Sequence, residues 1–239
     1  MDEQRVAFLR SALNEIGLSP SDLQISQLMT YYEFVVEKNK VMNLTAITEF
    51  EEFVQKHFVD SLSICKYVDL NQPLSLLDVG TGAGFPGIPL KIMFPELQIT
   101  LLDSLQKRIR FLLDVIFELK LEDIEAIHGR AEELKSKGNY FEQFDYVVSR
   151  AVASLPTLAE YCIPYVKVNG YFIAYKANAD EEIEQAGNAL RILGGKIESV
   201  KEFELPDTDY HRSLVMIRKV KNTDSKYPRA GGKPVSKPL

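Results

Sequence analysis

The sequence predicts a doubly wound α/β protein with a mostly parallel, seven-stranded sheet and a helical N-terminal extension. Three observations carry this expectation. Residues 1–72 hold only apolar stripes of helical period. From residue 73 onward, short apolar strands alternate with helical segments. A glycine-rich turn follows the first of those strands.

Val6, Leu9, Leu13 and Ile16 form one stripe, stopped by Gly17. Ser19-Pro20-Ser21-Asp22 reads as a helix start, with Ser19 at the N-cap, proline at the first helical position and an acid in the first turn. Ile25, Leu28, Met29, Tyr32, Val35 and Val36 continue the period. A third helix is expected from near Thr48 to about Tyr67, and Asn71-Gln72-Pro73 then breaks the pattern.

LSLLDV (74–79) is a short strand buried on both faces, as in a parallel sheet. Further strands are expected at 98–104, 124–130, 144–152 and 170–177, with two late ones in GGKIESVKEF and HRSLVMIRKV. IPLKIMF, LQKRIRFLLDVIFELK and a segment ending in YCIPYV read as helices between them. The expected organisation is a helical cap over 1–72, a ligand-binding domain over 73–221 and a basic tail over 222–239. No internal repeat is visible.

Composition narrows the class. Of 239 residues, 46% are apolar and 26% charged, as in ordinary globular proteins. The acidic start, MDEQRVAFLRSALNEIG, does not read as a leader peptide. No apolar run of about 18 residues suggests a membrane span. Two distant cysteines, Cys65 and Cys162, read as reduced thiols in the cytoplasm, with no metal site.

The net charge is −6, which speaks against a polyanionic partner until its distribution is considered. From Arg218 onward seven basic residues face one acid, Asp224, so this end carries +6 and the rest −12. Such asymmetry suggests a tail that grips phosphates, or a solubilising disordered end. No tail residue belongs to the glycine-rich turn, so cofactor binding is expected to be independent of the tail.

The turn itself is Asp78-Val79-Gly80-Thr81-Gly82-Ala83-Gly84-Phe85-Pro86-Gly87. Glycines there allow tight turning and close ligand approach at the carboxyl ends of the strands. Asp103, ending the second strand, is placed to accept hydrogen bonds from both ribose hydroxyls. A dinucleotide site would read GxGxxG and hold a pyrophosphate, which Asp78 would repel. A carboxylate at that point suits a ligand with an ammonium and a sulfonium. Gly80, Gly82, Asp78 and Asp103 together favour S-adenosylmethionine over a dinucleotide or a purely structural turn.

DVGTGAGFPGIPLKI, LLDSLQKRIRFL, HGRAEEL, SRAVASL, YPRAGGKP, VMNLTAIT and KHFVDSL together resemble the small-subunit ribosomal RNA guanine-N7 methyltransferase G family, once called glucose-inhibited division protein B. The resemblance runs through nearly the whole chain. It implies a class I, Rossmann-like, S-adenosylmethionine-dependent enzyme that methylates N7 of a guanine in the decoding region of 16S ribosomal RNA. The expected partner is that RNA or the 30S particle, met by a monomer without membrane contact. Outside the resemblance, a methyltransferase for a small molecule or protein stays open, as does a non-catalytic ribosome-assembly binder.

Guanine N7 carries a lone pair and no proton, so its methylation needs no general base and no catalytic residue is assigned. The sequence lacks the Pro-Pro-Tyr acceptor motif of exocyclic-amine enzymes and the Pro-Cys nucleophile of carbon methylation. The resemblance implies that Ala131-Glu132 flank the adenine; a helix start with acids is the alternative. Phe85 packs on the ligand or in the core. Arg150 touches the ligand or a phosphate, or forms a structural ion pair. For the RNA, the candidates are Asn43 (or a cap of the next helix), His57 (or a core histidine), Lys176 (or a salt bridge) and Arg229 in the tail. Lys107, Arg108 and Arg110 read as a solvated helix face or as further contacts.

Overall fold

The computed structural model describes residues 2–239. Helix α1 (Glu3–Glu15) begins at Asp2, whose carboxylate accepts from the amides of Gln4 and Arg5. Helix α2 (Asp22–Met42) begins at Ser21, two residues later than expected. The reason is reciprocal capping: Ser21 Oγ accepts the Gln24 amide, and Gln24 Oε1 accepts the Ser21 amide. Ser19 has Asp22 at that spacing instead of Glu or Gln.

The helix expected over 48–67 is one helical run whose hydrogen bonding changes along its length. α3 (Phe50–Phe53) passes into a π-helical stretch (Val54–Val59), then α4 (Asp60–Leu62) and a 3-10 turn (Ser63–Lys66). The wide π turns carry Lys56 and His57, a placement typical of functional sites.

Strands β1 (Ser75–Val79), β2 (Gln98–Asp103), β3 (Ile124–His128), β4 (Phe144–Arg150), β5 (Val166–Lys176), β6 (Gly195–Glu204) and β7 (His211–Lys219) form one sheet in the order β3-β2-β1-β4-β5-β7-β6. β1 to β5 run parallel; β7 is antiparallel to both neighbours. The order reverses at β1, between β2 and β4, where such sheets open a ligand crevice.

Alternation along the strands builds two cores. Leu76, Val148 and Ile173 face α5 (Gly87–Met93), α6 (Gln106–Glu118) and the N-terminal helices, which share this core. Leu77, Val147 and Phe172 face α7 (Leu155–Cys162) and α8 (Asp180–Leu193). α8 is not among the expected elements, although three acids open it and left-handed Gly194 closes it. No helix among the described residues is long and apolar enough to cross a membrane.

Residues 222–239 fold against this second face, which corrects the disordered-end reading. Tyr227 and Pro234 are buried, and Leu239 packs at the edge of the core. Thr223 donates its amide to Glu142, and α9 (Lys233–Ser236) covers α7. The apolar residues scattered among the tail's cations drive the docking.

Candidate functional site

A cavity of about 520 Å³ opens at the carboxyl ends of the strands. Val79 and Gly80 line it after β1, Leu102, Asp103 and Ser104 after β2, and Gly129 to Glu132 after β3. Ala151 and Val152 after β4, with Arg108 of α6 and Tyr161 of α7, complete most of the wall. A volume of this size suits a small-molecule ligand, for which roughly 300–1,000 Å³ is usual.

The glycine turn owes its shape to strand pairing and to one carboxylate. The amides of Gly80 and Thr81 both donate to the Leu102 carbonyl, which ties the turn to β2. Gly80, Gly82 and Gly84 all take positive φ. A Cβ on Gly80 would lie 2.5 Å from Val152 Cγ2, whereas one on Gly82 would meet nothing. Gly80 is therefore required by its conformation and by the loop after β4, rather than by the open cavity. Beneath Gly84, Tyr31 of α2 donates to the Ala83 carbonyl at 2.6 Å, so the N-terminal helices hold the turn from below.

Asp78 is wholly buried under this turn. Its Oδ2 accepts from Thr81 Oγ1 at 2.7 Å and from the Gly87 amide at 2.9 Å. Its Oδ1 is buried without a hydrogen-bond partner among the described residues. Burial lifts the carboxyl to about 6, against the hydrogen bonds that would lower it. Asp103 accepts the Gly82 amide and Arg108 on Oδ2, at 3.0 and 3.2 Å, and the Leu105 amide on Oδ1 at 2.9 Å. Each oxygen carries two lone pairs, so Oδ1 keeps acceptor capacity at the cavity edge.

Of the expected cofactor residues, Gly80, Asp103, Ala131 and Glu132 line the cavity, Gly82 adjoins it through Asp103, and Asp78 lies buried beneath the turn, off the lining. Ala131 is fixed by Tyr165, whose hydroxyl donates to its carbonyl. Phe85 and Arg150 are not on the cavity lining and take the alternatives open to them. Phe85 is buried against Tyr31, Phe53 and Phe58, with His57 stacked on it at a 4.5 Å centroid distance. Arg150 pairs with buried Asp60 at 2.8 Å, donates to the Lys56 carbonyl and lies over the Phe85 ring. Arg212 of β7 shares Asp60, at 3.1 Å.

The expected RNA residues fare differently. His57 sits between Arg150 and Thr45, with Nδ1 3.2 Å from Arg150 Nη2 and Nε2 2.8 Å from Thr45 Oγ1. Burial, then the charges of Arg150 and Lys56, push it down to about 3, so it is neutral at pH 7. It is a half-buried histidine tethered at both ring nitrogens and stacked on Phe85. Asn43 does not cap the next helix; it ends α2 in the left-handed conformation and is exposed. The Lys107 ammonium donates to the Met42 carbonyl, so Asn43 lies beside the start of α6. Lys176 donates to the Ala153 carbonyl and to Glu182, both at 2.7 Å, which holds the loop after β4.

Arg229 is not a free phosphate contact. Its Nε and Nη2 fork onto Glu160, a fully buried carboxylate on α7, at 2.8 and 2.6 Å. An isolated buried carboxylate is costly, and a planar guanidinium meets it with two bonds. The tail also enters the cavity: Gly232 and Val235 line it. The glycine turn itself holds no tail residue, as expected, but the cavity beside it does. Tyr31, Val152, Gly232 and Val235 escaped the sequence reading, and Arg108 was read only as part of a helix face. Arg108 alone carried a local signal, one turn after Asp103 on a new helix.

Three comparisons bear on this geometry. Residues 24–215 match the family described as rRNA small subunit methyltransferase G. The chain is 55% identical to the ribosomal RNA small subunit methyltransferase G of Lachnoclostridium phytofermentans, covering 95% of this chain and 94% of that one. Its namesake from Acetivibrio thermocellus is 51% identical, with 100% of both chains covered. Among solved structures, Aeropyrum pernix fibrillarin, in complex with natively bound S-adenosyl-L-methionine, aligns at a TM-score of 0.50 and 16% identity. That alignment covers 63% of this chain and 68% of the fibrillarin, and shows a shared fold.

Proposed function

The chain belongs to the rRNA small subunit methyltransferase G family, and from that premise we propose that it transfers a methyl group from S-adenosylmethionine to N7 of a guanine in small-subunit ribosomal RNA. The single observation that carries the reading beyond the family is the buried, unpartnered Asp78 Oδ1 beneath a glycine turn, with Asp103 of the adjacent strand on the cavity wall. A buried acceptor without a donor is costly, and a ligand ammonium relieves that cost. A pyrophosphate at the same turn would worsen it.

In this reading Asp103 receives the ribose hydroxyls and the Ala131-Glu132 wall flanks the adenine. Gly82, where a Cβ would meet nothing, leaves the turn open, while Gly80 lets Val152 close the cavity from the β4 side. When bound, S-adenosylmethionine supplies an electrophilic methyl on its sulfonium. The rest falls to position and electrostatics, because an N7 lone pair attacks without losing a proton. The neutral, doubly tethered His57 agrees with a site that needs no base. Exposed Asn43, near the start of α6, is the residue best disposed to meet the RNA.

The test is nucleotide mapping of 7-methylguanine in ribosomal RNA from cells lacking the protein. One small-subunit guanine should lose its methyl group and regain it with the wild-type chain, but not with Gly80→Val. Fully methylated ribosomal RNA in the deletion strain would move the activity to a small molecule or protein. Restoration by Gly80→Val would leave a non-catalytic binder.

A further inference from the structure

We propose that residues 225–237 form a strap that belongs to the cofactor site, so that docking of the tail and occupancy of the cavity favour one another. The proposal rests on the reading of the cavity as the S-adenosylmethionine site. Three anchors hold the strap, and each lies on an element that also walls the cavity. Glu160, which takes the Arg229 fork, precedes cavity-lining Tyr161 on α7. Thr157, one turn earlier on α7, donates to the Pro234 carbonyl at 3.1 Å in a buried contact. Lys135 follows the Ala131-Glu132 wall in the same 3-10 turn, and its ammonium donates to the carbonyls of Ser225, Tyr227 and Pro228.

Between these anchors the chain turns through Gly231 and Gly232, both left-handed, and presents Gly232 and Val235 to the cavity. Val235 is 62% exposed, an apolar side chain at the edge of the cavity. A nucleoside in that cavity would cover it, and the favourable burial would stabilise the docked strap. The Arg229–Glu160 pair makes docking cooperative, since a lifted strap loses both charge-assisted bonds together. Arg229 is thus a positioning residue: it acts on the cofactor through Gly232 and Val235. By reciprocity, the factor by which the docked strap raises cofactor affinity is the factor by which bound cofactor favours docking.

Hydrogen exchange on the full wild-type chain tests this without a mutation. The amides of Arg229, Val235, Ser236 and Lys237 are all hydrogen-bonded in the docked strap. If undocking must release the cofactor, S-adenosylmethionine at 100 times its Kd should slow their exchange by about 100-fold. Unchanged strap exchange, with slowing at Gly80, Thr81 and Gly82, would overturn the strap and leave the cofactor assignment standing. No binding of S-adenosylmethionine by the wild-type chain would overturn both. Val235→Asp provides a second reading, at a position exposed enough to leave the fold intact. Calorimetry should show its Kd for S-adenosylmethionine raised at least tenfold; an unaltered Kd would also overturn the proposal.

Discussion

At Asp78 one oxygen serves the fold, while the other is buried without a hydrogen-bond partner among the described residues. Its raised pKa, about 6 against 3.8, means the folded protein holds a proton that the unfolded chain has released between about pH 4 and 6. Stability contributed by this group therefore falls as pH rises through that window and is level above it, a cost on the order of 3 kcal/mol. In Asp78→Asn the amide oxygen can still accept from Thr81 and Gly87, and the cost vanishes. Calorimetric melting should show the Asn variant gaining on wild type from pH 4 to 6, then holding a constant lead; a pH-independent difference would refute the burial argument. S-adenosylmethionine affinity should move the other way, falling by about 1.5–3 kcal/mol, the worth of a hydrogen bond to a charged group. His57, held near 3, has the opposite slope: its contribution is complete above 6.5 and is lost as pH falls toward 3. Gly80→Val fails for a different reason. At φ +74 any Cβ is strained, and here it would also strike Val152, so the loop after β4 must lift from the cavity. Binding of S-adenosylmethionine should be abolished while circular dichroism keeps the wild-type spectrum; an unchanged affinity would sink the assignment of this turn.

The elements around the site are joined by ion pairs that tie helix to sheet. The helical run 50–66 reaches β4 and β7 through Asp60, whose two oxygens take Arg150 and Arg212. The π-helical stretch just before it brings the Lys56 carbonyl and His57 to the same guanidinium. Removing the shared carboxylate in Asp60→Ala leaves two poorly exposed cations unpaired, which should cost about 3–5 kcal/mol in urea unfolding. Because Arg150 is not on the cavity lining, the Kd for S-adenosylmethionine should stay within twofold of wild type. A tenfold rise would return Arg150 to the cofactor site. The loop after β4 is fastened separately, by Lys176 to the Ala153 carbonyl and by Glu182 to Lys176. Ala151 sits there at φ 57, a conformation that alanine adopts at a cost and that this fastening sustains.

For the molecule as a whole, the basic end is less available to RNA than its charge suggests. Arg229 is committed to Glu160, Lys226 pairs with Asp224, and Lys219 is buried against Glu142. In the tail, Lys233 and Lys237 remain exposed without an ion pair among the described residues. If these two engage phosphates, the double variant Lys233→Gln/Lys237→Gln should lose about 1.4 units of log–log salt slope for single-stranded RNA, two contacts at roughly 0.7 each. Filter binding across a salt series measures it. No loss would show that neither lysine engages a phosphate.

The sequence by itself determined the fold class and the chemistry of the glycine turn. Both are written in local order: apolar runs of strand length, helical stripes, and Asp78, Gly80, Gly82 and Asp103 at strand ends. A turn needing positive φ selects glycine within a few residues of chain, so it is legible without the fold. What the tertiary structure decided involves partners far apart in sequence. The antiparallel insertion of β7 between β5 and β6 depends on sheet pairing that no local pattern encodes. Arg150 and His57 carry the same side chains whether they meet a ligand or Asp60 and Phe85; only packing selects between them. Arg229 reads as a free cation until Glu160 arrives from 69 residues away, buried and needing exactly one charge. That match, a carboxylate costly to desolvate and met by a guanidinium, draws a tail legible only as basic into the wall of the cavity.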